Sequence, residues 1–169
     1  MTNRMVRIVA AVAVLSCAIA GVSVPALAAP GDLEALTKAS DLDPDPADAK
    51  AVAAVCTACH SSAQFLTAAR PYLRWEQTMQ DMLDRGAQGT DEQLDQVLSY
   101  LVKNITIVNI NASPPEQLIM TLQIPGSVAK DIVDRRTAHV FTSVDELKAV
   151  KGINKDVVQK LAAKKLIEF

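Results

Sequence analysis

The five residues Cys56-Thr57-Ala58-Cys59-His60 hold two of the three cysteines and one of the two histidines in this 169-residue chain. Two cysteines separated by two residues can serve as a redox dithiol, as half of a zinc site, or as the anchor of a covalent haem. A redox dithiol of the thioredoxin kind follows a strand. Here Val52, Val55, Cys56 and Cys59 recur at i, i+3, i+4 and i+7, which predicts a helix leading into the motif. A zinc site needs further ligands, and the other histidine, His139, stands far along the chain. Haem attachment uses all three reactive side chains. The sulfurs of Cys56 and Cys59 would form thioethers with the two vinyl groups, and the imidazole of His60 would reach the iron from one side. The motif therefore predicts one haem c per chain.

A sixth iron ligand must come from elsewhere, and a methionine thioether is the soft partner that raises the potential of an electron-transfer haem. Trp75, Met79 and Met82 fall at i, i+4 and i+7 on one helical face, so either methionine is placed to serve. Methionine on such a face is more often core filler.

The elements that must position these groups are short helices. Asp45 and Pro46 form a cap and first helical residue ahead of the motif. A second helix is expected from about Pro71 to Arg85. A third opens on Thr90-Asp91-Glu92-Gln93, a capping box, and continues with Leu94, Val97, Leu98, Leu101 and Val102 on one face. No stretch alternates with period two for long enough to predict a strand, so the fold class is all-α.

Residues 1–28 read as an export signal: Arg4 and Arg7, an apolar run from Ile8 to Ala20, and Ala26-Leu27-Ala28 at the cut. Val14-Leu15-Ser16-Cys17 faintly resembles a lipoprotein site, but cleavage near Ala28 removes Cys17. The product is expected in the periplasm, with no membrane span. Residues 29–46 are acidic and Pro-bearing and read as a tether. Charge then divides the rest. Residues 29–103 carry six basic and twelve acidic groups, whereas residues 104–169 carry nine basic and seven acidic. Two small domains, 47–103 and 104–169, are expected. Each is too small to stabilise itself easily by side-chain burial, so the first should need a staple such as haem.

Cys56-Thr57-Ala58-Cys59-His60, Arg74-Trp75, Met82, Gly86-Ala87 and Tyr100-Leu101 together resemble short c-type haem domains of bacterial dehydrogenase-associated cytochromes. The resemblance implies Met82 as the second axial ligand, with Met79 as the alternative.

The second segment carries Val108-Asn109-Ile110-Asn111-Ala112-Ser113, a capping box at Ser113-Pro114-Pro115-Glu116, Ile124-Pro125-Gly126, and Val150-Lys151-Gly152-Ile153. These residues resemble the tandem helix-hairpin-helix domain of the bacterial competence DNA-receptor family. In that family Gly-x-Gly in each hairpin offers backbone N–H groups to a DNA phosphate. The resemblance implies Gly126, Gly152, Asn154, Lys151 and Lys155 as phosphate contacts. Two departures stand out. The first hairpin reads as about three residues short after Gly126, with Val128 where a left-handed residue is wanted. In the second, Asn154 replaces glycine, and asparagine tolerates a left-handed backbone. The same fold resembles a small extrinsic subunit of photosystem II that acts as a protein-protein module.

The expected function is electron transfer, with a periplasmic redox protein or dehydrogenase as partner and the second domain used for docking. The alternative is a haem-bearing protein that contacts duplex DNA weakly, since the second segment is only slightly basic. An enzyme is not expected, because methionine ligation fills the sixth position. His139 is expected at the surface and Phe141 in the core.

Overall fold

The computed structural model describes residues 30–169. The expected signal segment, with Cys17 and the cleavage point near Ala28, lies outside the described residues. Along the chain come α1 (Pro30–Ala39), α2 (Pro46–Cys56), α3 (Ala63–Leu66), β1 (Arg70–Pro71), α4 (Tyr72–Asp84), α5 (Asp91–Ile105) and β2 (Thr106–Asn109). They are followed by α6 (Pro115–Leu122), α7 (Gly126–Ala138), α8 (Val144–Lys148), α9 (Lys155–Ala163) and β3 (Ile167–Glu168). The fold is mainly helical, as the periodicity predicts. Among the described residues no helix is long and apolar enough to cross a membrane.

Local chemistry explains several helix starts. Asp45 caps α2, accepting the Ala47 N–H at 2.8 Å with Pro46 as first helical residue. Thr90 and Gln93 exchange both bonds of the capping box at the head of α5. At α6 the expected capping box does not form. Pro114 stands at the cap position, and Ser113 Oγ instead accepts the Asn109 N–H at 3.2 Å.

The segment 29–46, expected as a tether, is largely the packed helix α1. Its Leu36 is fully buried, and the buried Tyr100 hydroxyl donates to the Leu36 carbonyl at 2.7 Å. The acidic composition concealed this, because one carboxylate, that of Asp32, is turned inward and satisfied by Ser62.

Buried side chains form two clusters. One joins α1 to α5 through Leu36, Val52, Phe65, Trp75, Val97 and Tyr100. The other joins the four later helices through Ile110, Leu118, Leu122, Ile132, Leu147 and Leu161. Leu42, from the connection after α1, belongs to the second cluster, so the N-terminal part plugs the C-terminal core.

Three short parallel strands tie the halves together, a feature that no alternating pattern announced. β2 is central: Thr106 and Ile107 pair with Arg70 and Pro71 of β1, while Val108 and Asn109 pair with Ile167 and Glu168 of β3. Strands of two to four residues are too brief to display a period. α5 runs directly into β2, and Asn104 at this junction is buried, accepting the Asp43 N–H and donating to the Tyr100 carbonyl. Lys103 pairs with Asp43 at 2.5 Å. Lys160 of α9 and Lys164 at its C-terminal cap donate to the carbonyls of Asp41 and Ala39, and Lys164 also pairs with the Asp41 carboxylate.

Candidate functional site

The cysteine-histidine motif lies where α2 ends. The Thr57 hydroxyl donates to the Ala53 carbonyl at 2.5 Å and closes the helix, and the chain then turns through Ala58 and Cys59. Cys56 is partly buried, which pushes its thiol up to about 11, and Cys59 is exposed; both are free thiols. His60 is half-buried, with the Phe65 ring of α3 edge-on at 6.1 Å. Its Nδ1 stands 3.2 Å from the Ser61 carbonyl oxygen. A carbonyl can only accept, so this contact calls for the proton on Nδ1, the tautomer in which a neutral imidazole offers Nε2 to a metal.

A cavity of about 250 Å³ opens in front of this motif. Cys56, His60 and Phe65 line it from one side, Trp75, Met79 and Met82 of α4 contribute from another, and Leu94, Val97 and Leu101 of α5 contribute apolar lining. Both methionines reach the cavity, as their spacing on α4 predicts. Cys59 is not among the lining residues. Gly89 permits the loop between α4 and α5 to press onto α2, since a Cβ there would meet Val55 Cγ2 at 3.0 Å.

Two polar features accompany the apolar walls. Trp75 is 1 % exposed, and its indole Nε1–H has no partner among the described residues. The Arg70 guanidinium lies 5.1 Å from the Trp75 ring centroid and donates to Thr78, and Arg70 and Arg74 also line the cavity. Behind the motif, Asp32 of α1 accepts the Ser62 N–H at 2.8 Å and the Ser62 hydroxyl at 2.6 Å. These bonds, the hydroxyl first, hold its carboxyl below the usual aspartate range, with a smaller contribution from His60. Sequence reasoning missed Asp32 and Ser62. The available signal was Leu33 and Leu36, spaced as on a helix face, directly after Pro30.

In the second segment the structure corrects the hairpin register. Leu118 and Leu147, Ile124 and Ile153, Val128 and Val157, and Ile132 and Leu161 are buried pairs, each 29 residues apart. This repeat sets Gln123 against Gly152 and Pro125 against Asn154. Gln123 and Gly152 are the left-handed residues, with φ of 52° and 84°. The first hairpin is therefore not short. Gly126 is the first residue of α7, not its turn, and Val128 is an ordinary buried helical residue instead of a strained one. Asn154 is likewise not left-handed: its extended backbone caps α9, and its side chain accepts the Val157 N–H at 3.2 Å.

The two hairpins consequently differ in what they offer. In the first, Pro125 has no N–H, and the Gln123 side chain donates to the Leu42 carbonyl at 3.2 Å. In the second, Lys151, Gly152 and Lys155 are exposed around the start of α9. His139 is exposed and Phe141 buried, as expected.

Comparison with curated proteins and with solved structures returned no match. A family model described as the helix-hairpin-helix motif matches residues 103–164, the span that carries both hairpins.

Proposed function

We propose that this chain is an exported mono-haem c-type cytochrome, an electron carrier whose helix-hairpin-helix part docks it to a protein partner. The observation that carries the reading is the single cavity into which Cys56, His60, Met79 and Met82 all reach. The surrounding residues fit a haem. The lining is mostly apolar, the sulfurs of α4 share it with the His60 imidazole, and the Trp75 N–H, without a partner among the described residues, is a buried donor awaiting an acceptor. The guanidiniums of Arg70 and Arg74 at the same cavity suit the carboxylates that a haem carries.

In this reading Cys56 and Cys59 would hold the group covalently, and His60 through Nε2 and Met82 would ligate its iron, with Met79 as the alternative to Met82. A bound haem supplies a one-electron iron couple. Leu94, Val97, Leu101 and Phe65 exclude water from it, which with the thioether favours a raised potential. The acidic first segment steers the protein towards basic patches on a periplasmic dehydrogenase or other redox partner. Replacing Cys56 and Cys59 with alanine tests the assignment. The wild-type chain should retain haem stain on a denaturing gel and the double variant should not; stain surviving in the variant refutes covalent attachment at these residues.

A second reading is favoured by one observation, the exposed second hairpin with Gly152, Asn154, Lys151 and Lys155 at a helix start. There the part matched to the helix-hairpin-helix motif would contact duplex phosphates. Docking ranks first because the first hairpin is engaged by Leu42. Several basic groups are also already partnered, Lys130 by Asp134, Lys164 by Asp41, and Arg136 by the carbonyls of Ile110 and Ser113.

A further inference from the structure

We infer that Asp32 is a positioning residue for the iron ligand, acting on His60 through the peptide unit that joins Ser61 to Ser62. The inference rests on the haem reading above. The carbonyl of that peptide unit receives the Nδ1–H of His60 at 3.2 Å, and its N–H is donated to the Asp32 carboxylate at 2.8 Å. One planar amide thus has an imidazole on its oxygen and an anion on its nitrogen. A negative charge accepting the N–H draws electron density towards the carbonyl oxygen, because hydrogen bonds in a chain polarise one another. A more negative oxygen is a stronger acceptor for Nδ1–H and makes Nε2 more basic. Greater basicity stabilises ferric over ferrous iron, the usual effect of an outer partner on a ligating histidine.

The surroundings hold the Asp32 end of the relay, while the His60 contact to Ser61 lies at the surface. Asp32 is 9 % exposed and Ser62 2 %, so water competes little for either. The Ser62 hydroxyl gives Asp32 a second bond at 2.6 Å. Helix α1 is itself fixed at buried Leu36, whose carbonyl takes the Tyr100 hydroxyl.

The test uses the full-length holoprotein. Asp32→Asn keeps an oxygen that can accept both bonds but removes the charge. It should leave the haem stain and the near-infrared methionine band intact and raise the midpoint potential. The reduced-to-oxidised ratio at a fixed poise should rise about threefold to tenfold; tenfold corresponds to 59 mV for one electron. Ser62→Ala keeps the peptide N–H bond and should shift the ratio by less than about twofold, while Asp32→Glu restores the charge and should move the potential back towards wild type. An unchanged potential in Asp32→Asn, or an equal shift in Ser62→Ala, overturns the relay while leaving the haem assignment standing. Should Asp32→Asn fail to accumulate, a potential in Asp32→Glu far above wild type overturns it as well. Wild-type protein without covalent haem overturns both.

Discussion

A Cβ placed on Gly152 would stand 2.8 Å from Val128 Cγ2, so the turn of the second hairpin rests directly on α7 of the first. Gly152 also has a φ of 84°, where a side chain is strained. Both effects oppose substitution. Gly152→Ala should destabilise the protein by about 1–3 kcal/mol in urea unfolding. In a Val128→Ala background the cost should fall, because the clash goes and only the backbone strain stays. Strictly additive losses in the four-member cycle would show that the contact carries no energy.

Met82→Ala should abolish the weak near-infrared band of ferric methionine-ligated haem and lower the potential, whereas Met79→Ala should keep the band. Both residues reach the same cavity from α4, so the pair of variants discriminates cleanly. The reverse pattern assigns the ligand to Met79.

Acid stability should depend on Asp32. Its carboxyl is held below the usual aspartate range by Ser62. The group therefore contributes stability that is fully present above the ordinary aspartate pKa and is lost as pH falls through the lowered folded value. Urea titrations between pH 6 and about pH 3 should show a steeper loss in wild type than in Asp32→Asn. Parallel curves would mean that the Ser62 bonds contribute nothing to folding.

Much of the first half was legible because its signals are local. Asp45-Pro46, Thr90 with Gln93, and Trp75-Met79-Met82 each act within one or two helical turns, and each stands where its spacing requires. What could not be read is what depends on distant partners. Asp32 stands in an acidic segment, and only the fold brings Ser62, 30 residues later, to it as a donor. Ser113 looked like a cap because the competing Asn109 N–H was invisible. The hairpin register is hidden for another reason: Gly126 is the glycine in that stretch, while the left-handed position is filled by Gln123. The 29-residue spacing of buried residues was available in the sequence and gives the right alignment.

Duplex binding should be weak and sequence-independent at low salt and immeasurable near physiological ionic strength, since one hairpin reaches few phosphates. Fluorescence titration of the full chain at several salt concentrations measures this. Lys151→Glu or Lys155→Glu should each lower the salt slope by about 1 if those residues meet phosphate. Tight binding that persists at physiological salt and is lost in these variants would move the nucleic-acid reading ahead of docking.

β2 has one neighbour from each half of the chain, and parallel strands cannot be joined by a tight turn. The junction is therefore a splint and not a hinge. Cutting the chain near Asn104 would strip β1 of its only strand neighbour and leave β2 with a bare edge, so neither half is a natural fragment. Holding the halves in register also fixes the separation between the Cys56–Met82 cavity and the second hairpin. In the proposed function, a partner seated on that hairpin would meet the cavity at one distance and one orientation, the two quantities that govern the rate of electron tunnelling.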